Sequence, residues 1–151
     1  MLGRTHALTG VFIGVLLVFF FSYSSIMLSA GIIFFSLFGS LFPDIDSSTS
    51  YVGRRAKIVG LFSKHRGFFH SVFPLIIVYI LLLSFVNKWL AISFALGFIS
   101  HILLDMLTKK GIRLYPFKKK ICGPIRVGSF AETLFFIVQL FFIIYFTVKV
   151  V

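Results

Sequence analysis

Five apolar runs, each close to the length of a membrane crossing, occupy most of this chain. They cover about His6–Tyr23, Ser25–Phe42, Phe69–Val86, Trp89–Leu107 and Phe130–Val148. A bilayer core of about 30 Å is crossed by roughly 20 helical residues. None of the runs alternates apolar and polar residues as a half-buried strand does, and open sheet edges do not survive in lipid. The runs predict an all-α integral membrane bundle of about five transmembrane helices. Composition agrees, with 59% of residues hydrophobic and only 13% charged. An ordinary soluble domain is nearer half apolar and a quarter charged. Disorder, a fibre, a disulfide scaffold and a typical soluble enzyme are excluded. Cys122 is the only cysteine and cannot form an intramolecular disulfide. The first run follows Arg4 and has a second reading as a signal peptide, but its apolar stretch is long for one. No repeat or linker divides residues 1–151, which read as a single membrane-embedded domain.

The charge has a side. Fifteen Lys and Arg against four Asp and Glu give a net charge of +11. Alternating spans place Arg4, the loop Pro43–Phe68 and the loop Thr108–Ser129 together. That side holds 13 basic residues, and the other holds only Lys88 and Lys149. Basic residues accumulate on cytoplasmic loops. The chain is expected to be a multi-pass inner-membrane protein with its N-terminus inside and its C-terminus outside.

The residues able to do chemistry follow the same bias. The four histidines are His6, His65, His70 and His101, and the four acids are Asp44, Asp46, Asp105 and Glu132. On the five-helix map all eight fall at cytoplasmic helix ends. Ionisable groups at a bilayer are expensive and usually mark a functional site. The bland alternative is that they act as caps and interface anchors; Glu132, for instance, would suit the positive end of the last helix. That alternative explains any one residue. It does not explain why the opposite helix ends carry no acid and no histidine.

The local patterns differ in strength. His101-Ile-Leu-Leu-Asp105 is an i, i+4 pair on one helix face. Phe42-Pro43-Asp44-Ile45-Asp46 places two carboxylates after a proline stop. His65-Arg66-Gly67-Phe68-Phe69-His70-Ser71 sets two histidines around a basic residue and a glycine. Imidazoles with carboxylates suit Zn2+, with Mn2+ or Fe2+ as alternatives. Eight donors exceed the four of a structural zinc and predict two or three ions, with a group left over for other work. Arg66, between His65 and Gly67, is suited to clamping a phosphate. Lys118, Lys119 and Lys120 suit anionic lipid head groups.

Taken in order, these motifs resemble a known family. They are a His near the N-terminus, Leu41–Asp46, His65–Ser71, and Ser100-His101-Ile-Leu-Leu-Asp105-Met-Leu-Thr108-Lys109-Lys110-Gly111 running on to Tyr115-Pro116. The chain resembles the YdjM-like inner-membrane proteins, described as membrane-bound metal-dependent hydrolases. The likeness runs from His6 to Glu132. Lys109 stands where the family often has proline, and Phe69 where it often has threonine. The resemblance implies a distant relation to zinc-dependent phospholipase C and P1 nuclease, which cleave phosphoesters with clustered zinc.

The expected activity is therefore metal-dependent hydrolysis of a phosphoester or phosphodiester in a lipid head group. His6, Asp44, Asp46, His65, His70, His101, Asp105 and Glu132 are the expected ligands. Arg66 would stabilise phosphoryl charge, and Asp46 or Glu132 would orient the attacking water. Membrane lipids, anionic phospholipids above all, are the expected partners. A nucleic-acid partner is not expected, because the basic loops offer few aromatic residues for base stacking. A phosphohistidine lipid phosphatase would need Lys/Arg-Pro and Ser-Gly-His elements that this sequence lacks. A metal transporter or sensor without hydrolytic activity is the alternative, and it would need polar residues across the whole bilayer.

Overall fold

The computed structural model describes residues 1–21, 25–46, 68–113 and 120–150. Five long helices stand among them: α1 Gly3–Phe21, α2 Ile26–Leu41, α3 Val72–Phe85, α4 Lys88–Met106 and α5 Phe130–Val150. Three starts are fixed by caps of the expected kind. Ser25 accepts from Leu28 N at 3.4 Å, Ser71 from Phe73 N at 3.3 Å, and Asn87 from Trp89 N at 2.8 Å. A 3-10 turn, Phe42–Asp46, continues α2 past its end, and another, Phe68–His70, leads into α3.

Four of these elements are long and apolar enough to cross a membrane: Gly3–Phe21, Ile26–Ile45, Lys88–Met106 and Phe130–Lys149. The third expected span is shorter than its apolar run. Its helix has 14 residues, about 21 Å at 1.5 Å per residue. The Ser71 cap sets its start, and the preceding 3-10 turn takes Phe69 and His70 out of it.

The core lies between α2, α3 and α4. Leu82, Ala91, Phe94 and Phe98 are buried there, with Phe35, Phe42, Tyr79 and Ile102 packed around them. Phe42 meets Phe94 edge-on at 5.5 Å between ring centroids. Lipid tails are as apolar as leucine, so helices in a membrane associate through close packing and polar contacts. Glycines supply the closeness here. A Cβ on Gly39 would run into the Phe94 carbonyl, and one on Gly97 into the Ser36 carbonyl, so α2 and α4 touch backbone to backbone. Gly10 and Gly14 bring α1 against α2 in the same way.

Helix α5 lies along α1, joined by polar rungs and by rings. Gln139 Nε2 donates to Thr9 Oγ1 at 2.9 Å, and Phe19 meets Phe146 at 4.8 Å. The chain between α4 and α5 departs from helical structure. Strand β1 Ile112–Arg113 pairs antiparallel with β2 Lys120–Ile121. The end of α4 is also stitched to the segment that leads into α5: Ile125 N donates to Leu107 O at 3.1 Å, and Lys109 N to Ile125 O at 2.8 Å. This stitching delivers the start of α5 to the end of α4.

Candidate metal centre

Alternating helix directions bring five helix ends together. His6 is in the first turns of α1, and Asp44 is on the 3-10 turn that extends α2. His70 ends the turn before α3, while His101 and Asp105 are in the last turns of α4. Glu132 is in the first turn of α5. Of the eight sequence candidates, five converge as two groups whose ligand atoms lie within 4.8 Å of one another. One is His6, His101 and Asp105; the other is Asp44, His70 and His101.

His101 belongs to both groups, and its geometry is the most informative in the protein. Its side chain is fully buried. Nδ1 stands 2.7 Å from the carbonyl oxygen of Ser40. A carbonyl only accepts, so Nδ1 carries a proton, and in the neutral ring Nε2 then carries the lone pair. That Nε2 is buried without a hydrogen-bond partner. It faces Asp44 Oδ1 at 3.8 Å and Asp105 Oδ2 at 4.0 Å. In the neutral ring a lone pair directed at two carboxylates is a repulsive arrangement, and a shared cation relieves it. Ligands of a tetrahedral ion with bonds near 2.1 Å stand about 3.4 Å apart, close to these separations. A backbone acceptor on the far ring nitrogen is also how metal-binding histidines are commonly held.

The other donors surround this nitrogen. The His6 ring stacks on that of His101 with centroids 3.9 Å apart, and its Nε2 stands 3.2 Å from Asp105 Oδ1. Asp105 Oδ1 also accepts from the Met1 amine at 2.6 Å, which leaves Oδ2 as the oxygen facing His101. On the other side His70 Nε2 is 3.8 Å from Asp44 Oδ1. The three imidazoles are buried, while the Asp44 side chain keeps 23% of its surface open.

Sharing sets a limit that spacing did not reveal. With Nδ1 committed to Ser40, His101 has one ligating nitrogen, and one lone pair serves one ion. The two groups therefore cannot both be completed through His101.

The remaining candidates are placed differently. Glu132 is fully buried but joins neither donor group. Its Oε1 accepts from Leu2 N at 2.6 Å and from Thr5 Oγ1 at 2.9 Å, and its Oε2 from Gly128 N at 2.7 Å. This carboxylate ties the start of α1 to the start of α5. Asp46 closes the 3-10 turn that carries Asp44. His65, Arg66, Lys118 and Lys119 lie outside the described residues. Sequence reasoning missed the Ser40 carbonyl, because a backbone acceptor has no residue signature. It also missed the Glu132 clamp, whose main partners are backbone amides.

The family model described as YdjM inner membrane protein matches residues 1–150. Protein YvsG of Bacillus subtilis (strain 168), itself uncharacterized, is 28% identical over 142 residues, covering 89% of this chain and 86% of that protein. The inner membrane protein YdjM of Escherichia coli (strain K12) is 40% identical over 102 residues. That match covers 58% of this chain and 50% of the relative, and the Shigella flexneri YdjM matches equally. This chain thus spans about half the length of the YdjM relatives. No solved structure matches.

Proposed function

The chain belongs to the family of the YdjM inner membrane protein, and from that premise we propose that it is a membrane-bound metal-dependent hydrolase acting on a phosphoester or phosphodiester of a lipid head group. The observation that carries this reading is the buried Nε2 of His101, locked in its ligating tautomer by Ser40 and set between two carboxylates.

His6, His101 and Asp105 would hold one divalent ion, and Asp44 with His70 would hold a neighbouring one or complete the same site. Zn2+ fits the nitrogen and oxygen donors best, with Mn2+ or Fe2+ as alternatives. When bound, such an ion supplies a Lewis acid for a phosphoryl oxygen and activates a water as nucleophile.

The chain's own groups do the rest. Ser40 holds the His101 ring in place through its carbonyl. Asp105 is fixed by His6 and the Met1 amine on one oxygen and presents the other. Burial of the three imidazoles excludes competing water and strengthens every charge interaction at the site. Asp44 is the ligand at the open side, where a substrate can approach. Asp46, on the same turn, is assigned to orienting the attacking water, and Arg66 to holding the phosphoryl oxygens. Glu132 is assigned to anchoring the segment that carries His6.

The location supports a lipid substrate. The donors gather at one end of the bundle, and the positive-inside bias reads that end as the cytoplasmic one, where head groups lie. The test is hydrolysis of phospholipid vesicles by the purified, metal-loaded chain, read as inorganic phosphate, phosphorylated head group or diacylglycerol released, beside His101→Ala. Release that depends on His101 and is abolished by a chelator supports the proposal. Metal binding without release from any phospholipid class tried would favour the transporter or sensor reading. That reading has less support, because Ser40, Ser93 and Ser100 turn their hydroxyls to carbonyls of their own helices instead of lining a path.

A further inference from the structure

The histidine–aspartate pair of α4 runs on into a third polar residue that the proposed chemistry leaves unused. Counted from His101, Asp105 and Thr108 stand at i+4 and i+7, a spacing that keeps all three on one helix face. The C-cap Leu107 retains αR backbone, so the spacing carries past the end of the helix. Thr108 is fully buried, at 1% exposure.

Its place matters because Asp105 is the next-to-last residue of α4. Carbonyls in the last turn of a helix have no partner within it, and helix ends fray. A carboxylate there is held only as firmly as that turn. Asp105 uses Oδ1 for the Met1 amine and His6, and turns Oδ2 toward His101 Nε2 at 4.0 Å. A small rotation of the last turn would move both oxygens off their partners.

Thr108 supplies what the turn lacks. Its Oγ1 donates to the Asp105 carbonyl at 2.9 Å, beside its own amide at 3.2 Å. The same Oγ1 accepts from Gly111 N at 3.2 Å. The Thr108 carbonyl accepts from Gly111 N at 2.9 Å and from Gly123 N at 3.0 Å. The chain thus closes on Thr108 from two directions, and both approaches need glycine. Gly111 adopts φ of 57°, and a Cβ on Gly123 would run into the Leu107 backbone.

We propose that Thr108 is a positioning residue for the metal centre: its hydroxyl fixes the last turn of α4 and so holds the Asp105 carboxylate opposite His101. This rests on the metal-centre reading and is independent of the substrate. The run His101-Ile-Leu-Leu-Asp105-Met-Leu-Thr108 then holds two ligands and the clamp that sets their geometry.

The test uses the full chain in detergent. Thr108→Val removes the hydroxyl at nearly constant volume, and Thr108→Ser restores it. Thr9→Val, which removes a buried hydroxyl bonded to Gln139, is the control for a cost to folding alone. Amide hydrogen exchange of the metal-free chain follows the end of α4. Titration with Co2+, read by visible absorption, reports affinity and ligand geometry. Thr108→Val should speed exchange across residues 106–111 by about tenfold, the loss of two buried hydrogen bonds. It should weaken Co2+ binding by about tenfold, the lower end of the effect of groups that orient ligands, and shift the absorption bands. Thr108→Ser should return all three to the wild-type values. Thr9→Val should lower the melting temperature and leave cobalt affinity and spectrum unchanged. Exchange unmoved by Thr108→Val overturns the proposal. So does faster exchange with unchanged cobalt binding, which would leave Thr108 a helix cap alone, and so does failure of Thr108→Ser to restore binding. A wild type that binds no Co2+ is a separate failure: it removes the metal-centre reading itself, and the positioning role with it.

Discussion

His101 donates from Nδ1 to the carbonyl of Ser40 across 2.7 Å, and this one bond joins α4 to α2 while deciding which nitrogen faces the cluster. Gly39 lies beside Ser40 and packs on the Phe94 carbonyl, while Gly97 packs on Ser36. The same close approach that builds the bundle therefore sets the ligand's tautomer. Position, packing and chemistry are coupled at this point.

That coupling can be broken from the packing side. Gly97→Ala puts a methyl group where the Ser36 carbonyl now lies. Overpacking of this kind costs about 1–3 kcal/mol. Denaturant unfolding in detergent should show that loss, and the variant should also bind metal less well because α2 and α4 are forced apart. Unchanged stability would mean that the two backbones are not in contact.

Metal should stabilise the folded chain. A ligand present at 100 times its dissociation constant contributes about 2.7 kcal/mol when it binds only the native state. Added Zn2+ should raise the melting temperature of wild type, and a chelator should reverse the rise. His101→Ala should show little response. An equal rise in both proteins would place the binding elsewhere.

Glu132 should separate folding from metal binding. Glu132→Ala leaves the Leu2 amide and the Thr5 hydroxyl without their acceptor. Unsatisfied buried groups of this kind cost roughly 2–4 kcal/mol together. The variant should be less stable yet keep most of its bound metal once refolded with excess ion. Complete loss of metal at full stability would make Glu132 a ligand instead of an anchor.

Thr9 and Gln139 hydrogen-bond each other between α1 and α5. A double-mutant cycle of Thr9→Val and Gln139→Leu should return a coupling near 0.6 kcal/mol and no more than about 1.7 kcal/mol, the range found for such pairs in membranes. Zero coupling would argue that α5 is held on α1 by its rings alone.

Much of this was legible from the sequence for definite reasons. Alternating spans place helix ends in two sets, and with charge so scarce, the side on which His6, Asp44, His70, His101 and Asp105 gather could be counted. The i, i+4 spacing of His101 and Asp105 predicted a shared face, and both lie in the His6 group. The rest depends on backbone. The Ser40 carbonyl and the amides that hold Glu132 carry no side-chain signature. The short α3 was hidden because its run was read from Phe69, inside the stretch Phe68–His70 where the chain takes a 3-10 turn instead. The β1–β2 pair is only two residues on each strand, too short for alternation to register.

The most direct measurement is the metal content of the purified chain by elemental analysis, with His101→Ala and Asp105→Asn alongside. Wild type should carry at least one tightly held zinc or manganese per chain, and both variants should lose it while remaining folded. A folded wild type that holds no metal after repletion, or variants that hold as much as wild type, would contradict the assignment of these residues to a metal centre.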